Sequence, residues 1–134
     1  MDILITLPKY LIEKIWNGEK KVEVRKNFPR QFDPIENAVF VVEKGTKNVC
    51  MCFTIAACYT YCNQDEAWDD FGDKICVPKD WFYNYAKGTK LIYIWYIRDR
   101  YIFPRPLDLQ MDYGIKHAPQ SYCYIRKKFH SFTY

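Results

Sequence analysis

The stretch Gly18-Glu19-Lys20-Lys21-Val22-Glu23-Val24-Arg25 decides how the rest of the chain is read. A helical pattern ends where it begins. Upstream, Leu11, Ile12, Ile15 and Trp16 recur at helical spacing, and Lys9, Glu13, Lys14 and Asn17 take the other face. Pro8 suits a first helical position, where a missing N–H costs nothing. Asn17-Gly18 is a stop, because glycine accepts the left-handed conformation that closes a helix. From Lys21 to Arg25 charged and apolar residues alternate, the period of a strand. Val22 and Val24 then share one face, and Lys21, Glu23 and Arg25 the other. Lys20, at the helix exit, can lean over that charged face. Two readings stay open on spacing alone: a solvated face carrying an ordinary Glu/Arg surface pair, or a polar constellation that binds something.

Working outward, Ile3–Leu7 predicts a first strand, Ala38–Glu43 a third and Val49–Tyr61 a fourth, the last two joined by the Gly-containing turn 44–48. Asn63 is placed to cap a helix over Gln64–Phe71, which Gly72 ends. Pro78 to Gly88 predicts a further short helix, and Leu91–Ile97 a strong strand. Pro104-Arg105-Pro106 stops pairing. Residues 107–117 read as irregular, and Tyr122–Ile125 as the closing strand. Residues 126–134 read as a basic tail. No internal repeat or interdomain linker interrupts this order, and 134 residues fit one domain with its own core.

The string Gly18-x-Lys20-x-x-Glu23-x-Arg25, behind a short strand and an amphipathic helix, resembles the signature of the ASCH domain of the PUA-like superfamily. Residues Ala118 to Ile125 resemble the closing strand of such domains. The resemblance implies an α+β fold over residues 1–134: a small mixed, mostly antiparallel β-barrel with flanking short helices. It also implies RNA binding in the cleft beside the motif, with Gln120 and Tyr122 contributed by the closing strand, and the charged and planar groups there suit RNA or a modified nucleotide as the partner. The loop after the second strand skirts that cleft in the family, which adds Lys26 and Arg30. Lys20, Lys21, Arg25 and Arg30 would then meet phosphate. With about three or four cations engaged, the salt slope of RNA affinity would be about −2 to −3.

Hydrolysis is the alternative. Small ASCH-like amidohydrolases that act on acetylated cytidine resemble this chain in the first motif, but carry a threonine nucleophile at the position of Glu23. The carboxylate removes the hydroxyl, so that acyl-transfer route does not carry over. Ribonuclease activity also occurs among ASCH-like proteins, and there Lys20, Glu23 and Arg25 would supply acid, base and phosphate stabilisation. A protein-interaction module is the third reading.

Composition narrows the field. Aromatic residues make up 19% of the chain, a supply for packing or for base stacking. The net charge is +4, but residues 65–73 hold five acids and no cation, which raises the balance of the rest to +9. Six cysteines lack zinc-pair spacing, and no secretory pattern precedes them, so reduced thiols, no metal, no cofactor and an intracellular, cytoplasmic location are expected. No apolar run is long enough to span a membrane.

Overall fold

A computed structural model describes residues 1–126; the basic tail beyond Arg126 lies outside the described residues. Six strands and four helices follow in the order β1 (Asp2–Leu7), α1 (Lys9–Trp16), β2 (Val22–Arg25), β3 (Val39–Glu43), β4 (Asn48–Tyr61), α2 (Gln64–Ile75), α3 (Lys79–Ala86), β5 (Ile92–Asp108), α4 (Leu109–Tyr113) and β6 (Cys123–Ile125). The strands form one sheet in the order β2-β5-β4-β3-β1-β6, in which only β1 and β3 run parallel. The α+β architecture with a mixed, mostly antiparallel sheet therefore stands.

The sheet buries both faces at its centre, which is why β1 and β3 are nearly continuous apolar runs. Ile3, Ile5, Val39 and Val41 point into one core with Leu11, Ile12 and Ile15 of α1. The alternate residues Leu4, Phe40 and Val42 point into a second core, closed by Phe103 and by Leu109 of α4. No helix among the described residues is long and apolar enough to cross a membrane.

Strand pairing does not close the sheet into the expected barrel. The edge strands β2 and β6 have four and three residues, and each pairs on one side only. Their gap is crossed by a side chain instead: Arg25 Nη1 of β2 donates to the Ser121 carbonyl just before β6, at 3.1 Å.

Other differences from the sequence reading have local causes. Pro8 is the N-cap and not the first helical residue. Gly72 does not end α2, which runs on to Ile75; a Cβ at Gly72 would sit 2.6 Å from the Trp68 ring, so the glycine makes room for that indole inside the helix. Asp108 caps α4, accepting from the backbone N–H groups of Gln110 and Met111, where an irregular segment was expected. Residues 103–106 of β5 leave the ladder and pairing resumes at Leu107, so both prolines occupy a bulge that asks for no donor.

Candidate functional site

Lys20, Glu23 and Arg25 converge. Gly18, at φ +84°, turns the chain out of α1. Lys20 N then donates to the Lys14 carbonyl, and Lys21 N to the Lys74 carbonyl in the last turn of α2. The segment is thus clamped between two helices before β2 begins. On β2, every residue is buried. Glu23 is 5% exposed, Arg25 9% and Lys20 2%, so the charged face of this strand is not a solvated one.

The three side chains form one ion-pair network. Lys20 Nζ lies 3.3 Å from Glu23 Oε1, and Arg25 Nη2 lies 2.9 Å from Glu23 Oε2. Glu23 Oε1 also accepts from the Val24 N–H at 3.2 Å. Lys20 Nζ donates to the Ile75 carbonyl at 2.7 Å, where α2 ends and the left-handed Cys76 (φ 64°) follows. Burial pushes the Glu23 carboxyl up, but the Lys20 and Arg25 charges and their hydrogen bonds overcome it and hold the group below its ordinary value. Arg25 Nε, by contrast, is buried with no hydrogen-bond partner.

This network lies on the wall of a cavity of about 620 Å³. Its lining comes from elements far apart in sequence. Thr6 and Leu7 end β1 and Pro8 caps α1, Lys44 and Gly45 lie in the β3–β4 turn, Trp81 and Tyr85 project from α3, and Ala118, Pro119 and Gln120 precede β6. Thr6 Oγ1 donates to the Pro119 carbonyl at 2.7 Å. With the Arg25–Ser121 contact, this ties the 115–122 segment across the cavity as a strap. Trp81 and Tyr85 stack with ring centroids 4.9 Å apart and planes 11° from parallel, and Lys26 Nζ lies 4.6 Å above the Tyr85 ring. Burial raises the Tyr85 phenol; Arg25 opposes that and Glu23 adds to it.

Of the residues expected from sequence, Lys20, Glu23, Arg25 and Gln120 line this cavity. Lys21 and Arg30 are exposed outside its lining. Tyr122 also lies outside, edge-on against Tyr124 and packed on the core. Lys44, Tyr10, Trp81 and Tyr85 were not legible as site residues. The signal for the last two was there, an aromatic pair at i, i+4 on a short helix, but nothing local told that face from a core face. Among the described residues no group of three or more His, Cys, Asp or Glu side chains could hold a metal ion, and none of the six cysteines is in a disulfide.

No family model matches the chain, and no curated protein matches it. Solved structures do. The ASCH protein from Zymomonas mobilis aligns at a TM-score of 0.79 and 21% identity, over 94% of this chain and 88% of that one. A serine-to-alanine mutant of the same protein aligns at a TM-score of 0.81 and 19% identity, over 94% and 89%. A hypothetical protein aligns less fully, at a TM-score of 0.53 and 18% identity, over 78% of this chain and 97% of that one. The TM-scores of about 0.8 and the span covered give one conclusion: this chain has the fold of an ASCH domain.

Proposed function

We propose that the cavity binds a base, presented by a free nucleotide or by an unpaired RNA residue. One observation carries this reading: a buried Lys20–Glu23–Arg25 network and a stacked Trp81–Tyr85 pair line the same cavity of about 620 Å³. A base needs a flat apolar surface and a few fixed polar groups. The aromatic pair offers the surface. The network offers fixed donors and acceptors whose geometry is set before the ligand arrives. The resemblance of the Gly18–Arg25 motif to ASCH domains, which are proposed to bind RNA, points the same way.

The network argues for recognition over phosphate tracking. Lys20 and Arg25 both spend their charge on Glu23, so the trio carries +1 in buried surroundings and does not offer two free cations. Lys21 and Arg30 stand outside the cavity. A salt slope shallower than the about −2 to −3 expected for three or four phosphate contacts follows. The network also argues for binding over acid–base catalysis, because a carboxylate held below its ordinary pKa is a weak base.

Equilibrium titration with the four ribonucleosides, their monophosphates and short single-stranded RNA, with product analysis on the same samples, tests this. Saturable binding of one base without turnover is the expected result. Cleaved or deacylated product would move the hydrolase reading ahead. Absence of any binding at low salt would sink the base-binding reading and leave a protein partner as the better one.

A further inference from the structure

We infer that the cavity takes its base as part of a nucleoside monophosphate, with the Lys44 ammonium as the phosphate contact. This rests on the base-binding reading above and adds a ligand class to it. Among the described residues, four charged side chains line the cavity: Lys20, Glu23, Arg25 and Lys44. The first three are buried and spent on one another. Lys44 differs on both counts. It is exposed, and its ammonium has no ion pair among the described residues.

Its root is nonetheless fixed. Lys44 N donates to the Leu7 carbonyl at 2.9 Å, which anchors the β3–β4 turn to the end of β1. Leu7 and Pro8 beside that anchor, and Gly45 after it, also line the cavity. The turn therefore sets a long, flexible cationic side chain at the edge of the cavity without tying up its charge.

A second observation comes from inside. Arg25 lines the cavity, and its buried Nε has no partner. Native interiors rarely leave a buried donor unpaired, so a ligand whose acceptor displaces the atoms that cover Nε would satisfy it. A ligand that satisfies both ends carries an acceptor-bearing planar ring at one end and an anion at the other. A nucleoside monophosphate has both. A nucleoside leaves Lys44 unused, and a phosphate alone leaves the aromatic pair and Arg25 Nε unused.

Calorimetric titration of the wild type and of Lys44→Gln with each ribonucleoside, its 5′- and 3′-monophosphates and inorganic phosphate tests the inference. One monophosphate should bind the wild type about tenfold more tightly than its nucleoside, the size of one good charge-assisted contact. Inorganic phosphate alone should bind weakly. Lys44→Gln should erase the tenfold ratio. The ratio should also shrink between about 0.01 M and 1 M salt, because the lysine is exposed and screened. Equal wild-type affinities for nucleoside and monophosphate would overturn the inference and leave the base-binding reading standing. A ratio that survives Lys44→Gln would overturn it too, by placing the phosphate elsewhere. If neither nucleosides nor monophosphates bind, the inference falls, and the base-binding reading falls with it when short single-stranded RNA also fails to bind.

Discussion

Lys20 donates from Nζ to the carbonyl oxygen of Ile75, 2.7 Å away, and so ties the start of β2 to the last residue of α2. The carbonyls at a helix C-terminus carry partial negative charge and lack intrahelical partners. A buried ammonium at that point satisfies one of them, while Glu23 balances its charge from the other side. The contact spans 55 residues and joins elements that the sequence does not associate.

Removing that ammonium should therefore cost far more than a surface lysine does. Lys20→Met keeps most of the stem but leaves the Ile75 carbonyl unpaired and Glu23 with Arg25 alone. Breaking a buried pair by removing one partner costs about 3–5 kcal/mol. Urea unfolding of Lys20→Met should show a loss of that size. The double variant with Glu23→Gln should lose less than the two single losses together, because the groups are in direct contact. A loss under about 1 kcal/mol, the range of exposed pairs, would mean that the network does not hold the fold.

The same network sets an acid limit. Glu23 titrates below its ordinary value of 4.5 in the folded protein. A group whose folded pKa is lowered adds stability above its unfolded pKa, and loses it as pH falls through the folded one. The stability gap between wild type and Glu23→Gln should therefore be full near neutrality. It should begin to shrink as pH drops past 4.5 and close below the folded pKa. Denaturant midpoints measured for both proteins from neutrality down to about pH 2 would show this. A gap that stays constant would mean that Glu23 is not ionised in the fold.

How much of this was legible in the sequence depends on how local each feature is. The α1 stop at Gly18 and the cap at Asn63 rest on neighbouring residues, and both are found where the sequence puts them. The meeting of Lys20, Glu23 and Arg25 was legible because three residues within one turn-to-strand junction have little room to diverge. The burial of their face was not, because alternation alone looks the same whether a second layer covers it. That layer includes the end of α2 and the 115–122 strap, and it arrives from far down the chain. Gly72 misled for a related reason: a glycine inside a helix and one that ends it look alike until Trp68 is seen lying over it. The closed barrel was an expectation of the family and not of the periodicity, which allowed the open sheet observed.

The strap gives a prediction about motion. Thr6 Oγ1 and Arg25 Nη1 each hold one of its carbonyls, at Pro119 and Ser121. Thr6→Val keeps the shape of the side chain and removes the first of these bonds. The global loss should be small, about 1 kcal/mol. Hydrogen exchange should instead rise selectively across residues 115–122, with α2 and β4 unchanged. Uniformly faster exchange would show that the strap is not a separate unit.

The aromatic wall separates affinity from stability most cleanly. Trp81 is 46% exposed and stacks on Tyr85, so its outer surface is open to a ligand while the helix is fixed elsewhere, by the buried Phe82 and Ala86. Truncating Trp81 should leave the fold nearly untouched, because half of the ring already faces solvent. If a base lies on this wall, the same truncation should remove a stacking contact worth about 1–3 kcal/mol. Trp81→Phe retains a ring and should recover part of that loss. Trp16 is the control: it is 56% exposed, does not line the cavity, and its replacement by alanine should not change affinity. Titrating nucleotide against all three variants and the wild type, with a melting curve for each, gives the two quantities separately. Affinity lost equally by Trp16→Ala and Trp81→Ala would move the binding surface away from the cavity. Affinity lost by Trp81→Ala alone, at unchanged melting temperature, would fix the base against α3.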